Sequence, residues 1–122
     1  MQTKLLIFKT KKMDIENSKA QMRKGVLELC ILSILSGGEK YPSDIIDELK
    51  EAQLLIVEGT LYPLLTRLKN EGLLAYRWVE SSSGPPRKYF TLTDSGKNFL
   101  SELKDAYNQL SDAVQKILNK TL

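Results

Sequence analysis

The run GTLYPLLTRLKNEGLL, residues 59–74, holds Leu61, Leu64, Leu65 and Leu68 at i, i+3, i+4 and i+7. That spacing puts all four on one side of a 3.6-residue helix. Glu58 opens the helix and Gly72 ends it. Its other side carries Gly59, Pro63, Thr66 and Asn70, flanked by Thr60, Tyr62, Arg67 and Lys69. The apolar stripe must be buried, and the opposite face is small, polar and cationic, with no carboxylate near its centre. Pro63 is expected within the first turn, where a missing N–H costs little.

C-terminal to this helix the period changes to two. Tyr76, Trp78 and Glu80 alternate with Arg77 and Val79, and Arg87 to Leu92 repeats the character, so two strands of a hairpin are expected. Ser81 to Pro86, with one glycine and two prolines, reads as a long exposed tip. Trp78 and Tyr89 are expected in the core. Thr93 and Asp94 offer N-cap oxygens to a last helix reaching about Lys120, roughly 40 Å at 1.5 Å per residue. In it Phe99, Leu103, Ala106, Leu110, Ala113 and Ile117 alternate spacings of four and three, and Leu100, Tyr107 and Val114 widen the stripe. This is a pairing surface.

N-terminal to the quoted run, Pro42 sits where a helix start tolerates it, and Ile45, Ile46 and Leu49 make the apolar stripe of a helix ending near Ala52. Gln53 to Val57 suits a tight connection or a very short strand. A preceding helix, Lys19 to Ser36, opens with Ser18 and Gln21 in capping-box form and is stopped by Gly37 and Gly38. Its second half, from Val26 to Leu35, leaves almost no polar face, as expected of a helix covered on more than one side. Residues 1–17 are read as a flexible extension, 18–92 as a winged helix-turn-helix domain and 93–122 as a dimerisation helix. Residues 1–12 are expected to be mobile and dispensable, since Met13 opens a segment like a normal protein start.

Composition narrows the chemistry. The 122 residues make one domain, 42% hydrophobic and 27% charged. With no histidine and one cysteine, imidazole catalysis, His-ligated zinc and an internal disulfide are excluded. No nucleophile with a base and no Gly-rich phosphate loop is present, so no enzyme and no cofactor is expected. Apolar runs reach only four residues, against about 20 for a membrane span, so a cytoplasmic protein without membrane contact is expected. The net charge of +3 is uneven. Four of the 18 basic residues are Lys4, Lys9, Lys11 and Lys12, leaving 14 against 15 acidic ones in the rest. Any nucleic-acid contact must therefore come from where charges sit.

The order helix, helix, connection, helix, hairpin, long helix is a winged helix-turn-helix of the mainly α (α+β) class. It presents the third helix to a major groove and the wing to flanking phosphates. Thr60, Tyr62, Pro63, Thr66, Arg67 and Asn70 are the candidates for the groove, and Arg87 and Lys88 for the wing. Arg67 equally suits an intrahelical pair with Glu71, and Tyr62 the edge of the core. Lys19, Arg23, Lys24, Tyr41 and Ser43 are further candidates for phosphate contact. Leu27, Ile31, Leu103, Leu110, Val114 and Ile117 are the candidates for dimerisation. The expected partner is double-stranded DNA with a pseudo-palindromic operator; the competing reading is a winged helix that binds only other proteins.

Together with GPPRKYFTLTDSG at residues 84–96, the quoted run closely resembles the PadR family of bacterial transcriptional regulators. The resemblance covers about Ala20 to Ile117 and implies a homodimeric repressor joined through its first and last helices. A single C-terminal helix is similar to the short subfamily. Pro42 stands where the family has glycine. The resemblance also implies that an aromatic residue in the last helix, here Tyr107, lines a cavity for a small flat effector.

Overall fold

The computed structural model describes residues 2–120, and side chains from residue 14 onward. Four helices and one hairpin follow in order: α1 (Gln2–Leu35), α2 (Pro42–Glu51), α3 (Glu58–Asn70), β1 (Leu74–Ser81), β2 (Gly84–Leu92) and α4 (Asp94–Lys120). This is the expected winged helix-turn-helix with a long C-terminal helix.

The core gathers one stripe from every element. Leu27, Ile31, Leu32 and Leu35 of α1 meet Ile45 and Leu49 of α2, Leu61, Leu65 and Leu68 of α3, Phe90 and Leu92 of β2, and Leu100 of α4. At about 1.5–3 kcal/mol for each fully buried aliphatic or aromatic side chain, this cluster is the main source of stability. The leucine stripe of the quoted run is therefore its central layer.

Two turns of the same kind frame α3. After α2 the Leu54 N–H reaches Leu49 O at 2.8 Å and Gln53 takes φ +67°. After α3 the Leu73 N–H reaches Leu68 O at 3.0 Å and Gly72 takes φ +80°. Both are helix endings closed by a left-handed residue. Gln53 to Val57 is a connection, with no strand.

Three expectations are corrected. Ser18 does not start the first helix, which runs unbroken from Gln2. Residues 2–24 contain neither glycine nor proline and are rich in good helix formers, so nothing stops the helix there. The side chains of residues 2–13 lie outside the described residues, and with them the expectation that residues 1–12 are dispensable. The hairpin tip is short, because Ser81 pairs with Gly84 and only Ser82 and Ser83 make the turn. Pro85 and Pro86 lie within β2, opposite an irregularity between Val79 and Ser81; a bulged stretch of a two-stranded ribbon does not need their N–H groups. Pro63 lies six residues into α3, beyond the first turn, and so removes the N–H that would bond the carbonyl of Gly59.

The start of α4 is bolted to the turn after α3. Thr93 Oγ accepts the Gly96 N–H at 3.0 Å and donates to Gly72 O at 2.7 Å, while the Thr93 N–H donates to Leu73 O at 3.1 Å. Gly96 is buried against the Leu73 carbonyl.

Candidate nucleic-acid interface

With Leu61, Leu65 and Leu68 turned inward, α3 holds Thr60, Tyr62, Pro63, Thr66, Arg67 and Asn70 in solvent. The hairpin folds back beside it and leaves a cleft of about 430 Å³. Tyr62, Thr66 and Glu58 of α3 line one wall, Trp78, Pro86, Arg87 and Lys88 the other, and Pro42 and Ser43 of α2 an end. Polar side chains of α3 and two cations of the wing thus share one concave surface. Asn70 lies one turn beyond Thr66 on the same helix face. Glu58 is the carboxylate at this rim, placed in the first turn of α3 where the helix dipole favours an acid.

The wing cations sit on aromatic rings. Arg87 Cζ lies 4.1 Å from the centre of Tyr41, and Arg87 Nη2 donates to Ser43 Oγ at 3.0 Å. Lys88 Nζ lies 4.4 Å from Tyr76 and 5.3 Å from Trp78. Contrary to expectation Trp78 is 59% exposed, because a two-stranded ribbon ends beyond the reach of the core on that side. Tyr89 is half-buried against Tyr41. At the foot of the wing Arg77 grips Glu39, Nη2 to Oε2 at 2.8 Å and Nε to both carboxylate oxygens at 3.2 Å. That hydrogen bonding holds the Glu39 carboxyl below its usual range.

Arg67, Thr60, Arg23, Lys24 and Lys19 stand apart from the cleft. Arg67 is turned to α1, paired with Glu71 at 3.0 Å and with Glu28 at 3.6 Å. The intrahelical pairing is therefore the one observed, and Glu28 adds a second acid that sequence spacing did not reveal. Thr60 shares a smaller hollow of about 230 Å³ with Arg23 and Lys24 of α1. Lys19 pairs with Glu16 at 3.6 Å on the surface of α1.

The dimerisation candidates divide in the same way. Leu27 and Ile31 are already buried in the protomer's own core and have almost no surface left for a partner, a correction that follows from the packing of α2, α4 and β2 on α1. Leu103 is half-buried against that core. Leu110, Val114 and Ile117 are exposed, Leu110 at 65%. Between α1, α4 and the end of α2 runs an apolar groove of about 590 Å³, lined by Val26, Leu29, Cys30, Ile34, Leu54 and Tyr107 among others. Burial there pushes the Cys30 thiol pKa up, which keeps it a poor nucleophile. Among the described residues no group of acids, cysteine or histidine has the arrangement to hold a metal ion, and no helix is long and apolar enough to cross a membrane.

Comparisons with known proteins agree on one family. Residues 31–102 match the sequence profile described as the transcriptional regulator PadR-like family. The crystal structure of a PadR-like transcription factor from Bacteroides fragilis is 58% identical, with a TM-score of 0.71 over 83% of this chain and 98% of that one. A PadR family transcriptional regulator from Eggerthella lenta is 35% identical, with a TM-score of 0.80 over 89% and 96%. The negative transcriptional regulator PadR of Bacillus subtilis is 31% identical over 93 residues, 74% of this chain but only 51% of that protein.

Proposed function

The chain belongs to the PadR-like family of transcriptional regulators, a family of regulators and not of enzymes, and on that premise we propose that it is a homodimeric repressor acting in the cytoplasm on a pseudo-palindromic operator. The observation that carries the reading is the cleft between α3 and the wing. There Tyr62 and Thr66 stand beside Arg87 and Lys88, so one strand of a duplex meets base-edge donors and phosphate-binding cations together. Each protomer reads one half-site. Thr60 and Asn70 extend the reading face along α3, and Arg23 and Lys24 add phosphate contacts at its start. Repression is supported by the negative regulator of Bacillus subtilis among the relatives. The competing reading, a winged helix that binds only proteins, calls for an apolar or acidic α3 face, and this face is polar, with the cations Arg87 and Lys88 of the wing beside it.

Dimerisation is proposed through α4. Its exposed Leu110 and Val114 continue the line of Leu103 away from the core and suit a second copy of the same helix. Tyr107, on the wall of the apolar groove, is proposed to line the cavity for a small aromatic effector.

The reading is tested by substitution in the cleft. Arg87→Ala is expected to weaken binding to every duplex and to lower the slope of log K against log salt by about one. Thr66→Ala is expected to keep that slope and change the preferred base at one position. An Arg87→Ala protein with unchanged affinity and slope contradicts the assignment of the wing.

A further inference from the structure

Arg87 is the outer end of a stacked column that crosses from the wing to the helix-turn-helix. Its guanidinium covers Tyr41 at 4.1 Å, and the Tyr41 and Tyr89 rings lie 4.1 Å apart at 36°. Arg77 follows at 5.4 Å from the centre of Tyr89, and Glu39 closes the far end on Arg77. The backbone beside the column is tied too, Lys40 N–H to Phe90 O at 3.0 Å and Phe90 N–H to Lys40 O at 2.9 Å. The residue before Tyr41 and the residue after Tyr89 are therefore locked in register, and Tyr41 has little freedom to leave the stack.

We infer that Tyr41 and Ser43 act on DNA through Arg87, as positioning residues that hold its guanidinium ready for phosphate before the duplex arrives. A free arginine loses rotamer entropy when it meets a phosphate, and the stack removes part of that loss in advance. Stacking on a ring face uses none of the in-plane N–H groups, so after the single bond to Ser43 the remaining donors stay available to a phosphate. Ser43 Oγ fixes rotation of the guanidinium plane, which a ring face alone leaves open. The inference rests on the proposed duplex binding and assigns Tyr41 and Ser43 a role other than direct phosphate contact.

A double-mutant cycle on the full chain with a mixed-sequence duplex tests it. Tyr41→Leu is expected to weaken binding about fivefold, the equivalent of about 1 kcal/mol. In an Arg87→Ala background the same substitution is expected to cost nothing further. Tyr41→Phe, which keeps the ring, is expected to restore affinity and the wild-type salt slope. Ser43→Ala, at an exposed position that does not endanger folding, is expected to cost about twofold, again only while Arg87 is present. Equal losses with and without Arg87 overturn the inference, as does a Tyr41→Phe protein as weak as Tyr41→Leu, which would assign the contact to the tyrosine hydroxyl. Failure of the unaltered protein to bind the duplex at all refutes instead the proposed function on which the inference rests.

Discussion

Gly96→Val is expected to lower the melting temperature by roughly 10–20 °C, the equivalent of about 3 kcal/mol for a chain of this size. A β-carbon at Gly96 would collide with the Leu73 carbonyl oxygen and come within 2.7 Å of Leu92 Cδ1. The first of these is backbone and part of the turn that ends α3, so it has no rotamer to change. The start of α4 must move away, and with it Thr93, whose hydroxyl caps α4 and bonds Gly72 O. Overpacking of about 1–3 kcal/mol and loss of a cap worth about 1 kcal/mol add up to the expected cost. Gly25→Ala is the control: that glycine lies in α1 with nothing within 4 Å of an added β-carbon. Alanine there is expected to be neutral or to stabilise by up to about 1 kcal/mol. If both variants melt within a couple of degrees of the unaltered protein, the packing of α4 on the Leu73 turn is not as described.

Leu110→Asp is expected to convert the protein to a 13.8 kDa monomer at micromolar concentration, read by sedimentation equilibrium. Leu110 is 65% exposed in the single chain, so aspartate there costs the isolated protomer little. In a paired seam the same carboxylate is desolvated, and each copy carries one, so two like charges are brought together. That costs several kcal/mol, at least a thousandfold in dissociation constant. DNA affinity then falls as well, because two half-sites are no longer bound as a unit. A variant that stays dimeric while its melting temperature is unchanged would show that α4 pairs elsewhere or not at all.

What was legible in the sequence depended on the range of the interaction. The α3 stripe and the α2 stripe are local periods, and each reappears as a layer of the core, whereas of β1 only Leu74 is buried in it. Gly72 announced the end of α3 for a local reason, the positive φ of its turn. Ser18 misled because its capping form is real in sequence, yet a cap starts a helix only where the preceding chain is unwilling to be helical. Pro85 and Pro86 suggested a long tip because proline opposes ladders in general, whereas a bulged edge tolerates it. Leu27 and Ile31 look like partner-facing residues in the sequence because a nearly all-apolar helix does not say which face its own chain covers. The site was less legible than the fold. Tyr41 and Tyr89, 48 positions apart, carry no common pattern, and Trp78 looks like core until the ribbon's reach is known. For Arg67 both outcomes were visible, and Glu28 from α1 strengthens the paired one. A glycine in the first turn of a long helix was the one available hint of the close approach at Gly96.

In the proposed function the α3 face and the wing read a duplex in sequence, two half-sites at a time. Selection of bound duplexes from a random-sequence pool at physiological salt tests it most directly. The expected product is a pseudo-palindrome whose half-site centres are one helical turn, about 10 base pairs, apart or a multiple of it. It should be held at least about a thousandfold more tightly than the unselected pool. A pool that stays unenriched through successive rounds, or one that converges on a single asymmetric site, contradicts the claim.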